Sequence, residues 1–285
     1  MRSHSTNNYK PNTMNFRFGA EAYTWFMNGN GQTHANRMGH MIDVTAQAGF
    51  AGIEPIFNWM GDLPDAERLA PKLAEKGVEL AAIALAMDWN GPDETDDERR
   101  IADAAIALLK AFPGALLCTV QKPTGRHDLE VRRQNLVGIV NRVSRRAVDQ
   151  GVPCTFHPNS PHTSITRTED DYRVILESLD ASVTGWTPDV GHMINGGMDP
   201  LTMMKKYASL INLVHFKDWN GNPEFALLGT GKVDFVGITN WLIEQEYAGW
   251  IICEDEGPEA MDDPDGVTLH DGRWVYETLL PSVKR

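Results

Sequence analysis

Short apolar runs alternate with longer segments of helical spacing from residue 16 almost to the C-terminus. The runs are FRFGAEAYTW (16–25), GFAGIEPIF (49–57), LAAIALAMDW (80–89), ALLCTVQKP (115–123), PCTFHPN (153–159), GWTPDVGH (185–192), INLVHFKDW (211–219) and WIICEDE (250–256). Between them, helical periodicity covers 35–48, 66–76, 96–112, 129–150, 169–179, 201–208 and 235–246, and a last loop and helix occupy 260–283. Gly77 and Gly151 stand where a helix ends on a left-handed residue, and Pro113-Gly114 stops the helix ahead of it. Parallel strands covered on both faces read as continuous apolar runs, as these do. Eight strand–helix units about 30 residues apart predict an α/β fold whose parallel sheet closes into a (β/α)8 TIM barrel. The rival is an open doubly wound sheet, but no Gly-rich phosphate fingerprint follows the first run. Residues 15–285 therefore read as one barrel domain. Residues 1–14 are polar, lack the apolar stretch of a secretory signal and read as a flexible arm.

Charge narrows the partners. The 285 residues carry 26 Lys and Arg against 39 Asp and Glu, a net charge of -13. Such a surface repels phosphate backbones and anionic bilayers, so neither nucleic acid nor a membrane is an expected partner. No apolar stretch is long enough to span a bilayer. Cys118, Cys154 and Cys253 sit inside apolar runs without a CxxC pair, which predicts buried free thiols in a reducing, cytoplasmic setting.

Several of the runs end abruptly in ionisable residues. In a (β/α)8 barrel the strand C-termini converge on the active site. The polar tips there include Glu21, Glu54, Asp88, Gln121, Lys122, His157, Asp189, His192, His215, Lys217, Asp218 and Glu254. Each costs desolvation unless it is paired or used. His157, Asp189, His215 and Glu254 come one from each of the last four strands and form a mixed nitrogen and oxygen set for one divalent cation. Mn²⁺ is the first expectation, with Co²⁺, Mg²⁺, Zn²⁺ and Fe²⁺ compatible. On a strand Glu254 and Glu256 share a face and Asp255 points away. Trp25, Trp59, Trp89 and Trp219 follow strand ends, where aromatic walls suit sugar C–H faces.

The pieces AGFAGIEP (48–55), PDVGH (188–192), VHFKD (214–218), LGTGKVDF (228–235) and GWIICEDE (249–256) give the chain a further reading. In this order it resembles the sugar phosphate isomerase/epimerase superfamily, the xylose-isomerase-like TIM barrels. The resemblance implies metal binding by Asp189, His215, Glu254 and the residue ending strand five. Many relatives have Glu there; His157 looks like the inosose dehydratase branch. Ketose 3-epimerases resemble two-base machines that use the strand-five and strand-eight carboxylates, and with His157 one base is missing.

The expected chemistry is α-proton abstraction from a small carbohydrate, with the metal stabilising an enediolate. Glu254, Glu54 and Lys122 are the candidates for the base. His192, Lys217, Gln121 and Trp25 are the candidates for substrate contacts. The leading expectation is reprotonation, which makes the protein an isomerase or epimerase. Loss of a β-substituent makes it a lyase or dehydratase acting on a keto-cyclitol or 3-keto-glycoside. A sugar-binding subunit without turnover is the non-enzymatic alternative, and a homo-oligomer or a partner subunit is compatible with the sequence. The Gly229–Gly231 loop offers backbone N–H groups to an anion, but no Arg stands beside it, which favours a neutral sugar.

Overall fold

The computed structural model describes residues 14–27, 37–61, 63–221 and 224–284. Apart from its last residue, the expected arm at 1–14 lies outside them. The staves are β1 (Arg17–Glu21), β2 (Gly52–Glu54), β3 (Ala82–Met87), β4 (Leu116–Gln121), β5 (Cys154–His157), β6 (Gly185–Trp186), β7 (Leu213–Phe216) and β8 (Trp250–Cys253). One parallel sheet runs β2–β1–β8–β7, with the short strand Glu79–Leu80 beside β2, and a second runs β3–β4–β5–β6. Isolated bridges join the two sheets at both seams: Ile56 with Ala84 on one side, Trp186 with Ile211 and Asp189 with His215 on the other. The chain is a single-domain (β/α)8 barrel.

Some staves are shorter than their apolar runs. β6 holds two residues of the expected run at 185–192. Pro188 has no N–H to give a ladder, and Asp189 already caps the helix Val190–Asn195.

Strand alternation sorts side chains into two layers. Trp250 and Ile252 of β8, Leu213 of β7, Ala82 of β3, and Leu116 and Cys118 of β4 pack together inside the ring. Ile251, Cys253, Val214, Phe216, Ile83, Leu85 and Leu117 face outward into the larger core beneath the helices. Gly52 makes the inner layer fit, because a Cβ there would stand 2.6 Å from the Trp250 ring. The outer helices are fixed by caps as well as by burial. Thr95 with Glu98, and Thr168 with Asp171, form capping boxes. The helix Leu129–Val148 buries Leu136, Val137, Ile139, Val140 and Val143, each contributing about 1.5–3 kcal/mol against exposure. All three cysteines are free and buried. Among the described residues no helix is long and apolar enough to cross a membrane.

Candidate metal centre and cavity

The same alternation continues past the strand ends. His157, His215, Glu254 and Glu54 continue the inward series of β5, β7, β8 and β2. Ligand atoms of His157, Asp189, His215 and Glu254 all lie within 4.8 Å of one another, and all four residues are buried. Asp189 has two separate tasks. Its Oδ1 accepts the N–H of His192 at 2.8 Å, capping the helix that follows. Its Oδ2 lies 3.5 Å from His157 Nε2. Gly191 permits this turn, since a Cβ there would meet the Lys217 carbonyl oxygen at 2.7 Å. The His215 ring is held at both edges: Nδ1 is 3.1 Å from Glu254 Oε2, and Nε2 is 3.0 Å from Glu54 Oε2.

These residues fit a divalent cation. Both ring nitrogens of His157 are buried without hydrogen-bond partners. Folded proteins leave few such atoms unsatisfied, because each costs free energy. Two imidazoles and two carboxylates match the donor preferences of Mn²⁺, Zn²⁺ and their neighbours.

Lys217 is fully buried behind this set. Its Nζ lies 3.2 Å from Asp189 Oδ2 and 3.1 Å from Glu254 Oε1, and it donates to Glu256. Burial opposes its charge, but the three carboxylates outweigh burial and hold the ammonium well above the ordinary lysine value. For Glu254 burial again opposes ionisation, and Lys217 and His215 outweigh it, so the carboxyl falls below the usual range. Glu256 is pushed up to about 7, by burial first. His192 is lowered to about 3 by burial and then by the Lys217 charge, so its ring is neutral. Lys217 has only donors, so His192 Nε2, 3.0 Å away, accepts. The proton then sits on Nδ1, which donates to Ser160 Oγ at 2.9 Å.

The centre borders a cavity of about 970 Å³, part of it open to solvent. Glu54, Lys122, His157, His192, His215 and Glu254 line it. Lys122 is half-exposed at the rim, 3.5 Å from Asp88. Lys217 reaches the candidate ligands Asp189 and Glu254 from behind and is not part of the cavity wall. Two further expected substrate contacts, besides Lys217, are placed elsewhere. Trp25 is fully buried and donates its indole N–H to Asp265 at 2.6 Å. Residues 23–27 form a helix, which turns Tyr23 and Phe26 to the cavity and Trp25 away. Gln121 follows the inward Val120, so its amide points out and donates to the Asp88 carbonyl at 3.1 Å. Of the four tryptophans considered, Trp59 alone lines the cavity. Trp89 is buried, and Trp219 donates to Asn195.

Sequence reasoning named Glu21 only as a polar tip and Glu256 only as sharing the face of Glu254, and it passed over Tyr23, Phe26 and Asn159; all five also form the wall. Inward alternation from Gly19 to Glu21 and from Glu254 to Glu256 carried a signal for two of them. The loop 228–235 is not a free anion nest. The Asp218 carboxylate accepts the N–H groups of Gly229, Gly231 and Val233 at 3.0, 2.7 and 3.2 Å.

Comparison with known proteins agrees with this architecture. The chain is 24% identical over 259 residues to an inosose dehydratase of Geobacillus kaustophilus, covering 79% of this chain and 82% of that protein. The probable 3-DHS dehydratase AsbF of Bacillus anthracis superposes with a TM-score of 0.73 at 15% identity, over 91% of this chain and 98% of that one. The IOLI protein with a bound zinc atom superposes with a TM-score of 0.69 at 15% identity, over 92% and 99% of the two chains. Residues 42–278 match the xylose isomerase-like TIM barrel family, and the chain belongs to that family.

Proposed function

We propose that the protein is a divalent-metal-dependent carbohydrate lyase that eliminates a β-substituent from a keto-cyclitol or keto-glycoside. The observation that carries this reading is the one-sided placement of the cavity carboxylates. Glu21, Glu54, Glu254 and Glu256 come from β1, β2 and β8, which are adjacent, whereas the β3 and β4 wall presents Ala84, Ala86, Cys118 and Val120 and no carboxylate, with Lys122 at its rim. Epimerisation at one carbon calls for proton-handling groups on opposite faces, while a syn elimination is served from one. His157 occupies the position where a second, opposing carboxylate would stand. The names of the inosose dehydratase and the 3-DHS dehydratase point the same way.

His157, Asp189, His215 and Glu254 would hold the cation, which when bound polarises a substrate carbonyl as a Lewis acid. The chain's own groups move the protons. Glu54 Oε1 is buried, without a hydrogen-bond partner and in the cavity wall, and it takes the α-proton. Glu21 is raised well above the ordinary glutamate value by burial and then by the charges of Glu54 and Glu254. Its Oε2 is buried without a hydrogen-bond partner in the cavity wall, and it is the group that gives a proton to the departing oxygen. The α C–H bond and the β C–O bond break, a C=C bond forms between those carbons, and water or an alcohol leaves.

Isomerisation or epimerisation is the second reading, and Lys122 favours it. It directly follows β4 and is the one Lys or Arg in the lining among the described residues, across from the carboxylates. Proton NMR in heavy water separates the two. Metal-loaded protein with inososes and 3-keto-glycosides should give an unsaturated product and a released leaving group. A product of unchanged mass carrying solvent deuterium would overturn the lyase assignment in favour of epimerisation.

A further inference from the structure

The cavity has two chemically distinct halves, and the elimination reading accounts for only one. The polar half is the carboxylate and imidazole set. The other half is aromatic and aliphatic. Phe26 and Trp59 stack with centroids 4.1 Å apart at 3°, and Tyr23 lies 5.2 Å from Phe26 and 5.9 Å from Trp59. Ala84, Ala86 and Val120 form the wall from β3 and β4. Two of these inward positions are alanine, the size that leaves room in a barrel interior.

A cyclitol or free sugar carries a hydroxyl on nearly every carbon. Trp59 and Phe26 can cover a sugar's C–H face, but Ala84, Ala86 and Val120 offer its hydroxyls no side-chain partner, and Tyr23 and Lys122 can serve only a few of them, which is unfavourable for the rest. An aromatic ring gains from the same walls through area and ring contacts. The two halves are continuous, so a single molecule can fill both.

From this we infer that the substrate is a keto-glycoside bearing an aryl aglycone, with the keto-sugar in the polar half and the aglycone against Trp59 and Phe26. This rests on the elimination reading and selects among its substrates. In a 3-keto-glycoside the C2–H bond and the C1–O bond break, C1=C2 forms, and the aglycone leaves with the proton on its oxygen. No oxidant or reductant is consumed.

Binding of phenyl and methyl glucosides, neither of which carries the keto group, tests the cavity apart from its chemistry. By isothermal titration the phenyl glucoside should bind about tenfold tighter than the methyl glucoside. Trp59→Ala, and separately Ala86→Leu, should each remove most of that preference, with circular dichroism confirming the fold. Metal-loaded protein should release phenol from the phenyl 3-keto-glucoside. Equal binding of the two glucosides, or a preference that survives both variants, overturns the inference. So does turnover of an inosose with no phenol release from the phenyl compound, a result that leaves elimination intact. Phenyl preference without α-proton exchange on any keto compound instead overturns elimination and keeps the aryl-binding half.

Discussion

Glu54 Oε2 lies 3.0 Å from His215 Nε2, at the ring edge opposite the one that faces Glu254. A carboxylate behind a ligating imidazole fixes the ring's orientation and tautomer. Glu54→Gln should therefore weaken divalent-metal affinity by about 10–100-fold, read by competition with a chromogenic chelator. Affinity within twofold of wild type would remove Glu54 from this positioning role.

Lys217 is the buried counter-charge to Asp189, Glu254 and Glu256. Lys217→Met leaves those carboxylates uncompensated and should destabilise metal-free protein by about 3–5 kcal/mol. For wild type, metal at about 100 times its Kd should add about 2.7 kcal/mol. The variant should gain more than wild type, because the cation then meets uncompensated carboxylates. Thermal melts with and without EDTA give both numbers, and an equal metal-induced shift in the two proteins would contradict the assignment.

His157 tests both the ligand set and the reaction. His157→Ala should lower metal content on elemental analysis, and unchanged content would take it off the ligand list. His157→Glu should keep the metal and restore a carboxylate opposite Glu254. Solvent deuterium should then appear in unrearranged substrate more often per elimination event than in wild type.

Asp171 couples two loops around the cavity to the helix Glu169–Leu176. Its carboxylate meets Arg126 at 2.7 Å, pairs with Arg133, and caps the helix from within. Arg126 also donates to the Ser164 carbonyl, tying the loop after β4 to the loop after β5. Burial alone would raise this carboxyl, but hydrogen bonds from Arg126 and Thr168 and the charge of Arg133 outweigh it, so it lies below the ordinary aspartate value. A lowered folded pKa means the stabilisation is fully present above the unfolded value of about 3.9 and is lost as pH falls through the folded value. Urea midpoints should therefore drop below pH 4 in wild type. Asp171→Asn should cost about 3–5 kcal/mol at pH 7 and flatten that acid limb. A limb of unchanged steepness in the variant would assign acid sensitivity to other carboxylates.

The barrel was legible because each strand is a dense apolar run and each helix closes on a glycine, a proline or a cap. The four proposed ligands were legible because each polar residue interrupts or ends such a run. Parity was a signal only partly used. Gly19–Glu21, Gly52–Glu54, Cys118–Val120–Lys122 and Ile252–Glu254–Glu256 are single inward series, and following them places Glu21 and Glu256 in the cavity and Gln121 outside it. Trp25 defeated the reading for a different reason. It follows a strand but belongs to a five-residue helix, where the period changes from two to 3.6. The Asp189 carboxylate divides its oxygens: Oδ1 caps the following helix, and Oδ2 turns toward His157 and Lys217.

The Trp250 ring, seated where Gly52 has no side chain, has a consequence for traffic. With an indole plugging the inner layer beneath Glu254, the reaction chamber is a blind sac. Under the proposed lyase reaction, a cleaved fragment would depart through the doorway by which the intact molecule came in. It would have to clear that doorway before the next molecule enters, so it should act as a competitive inhibitor of that reaction.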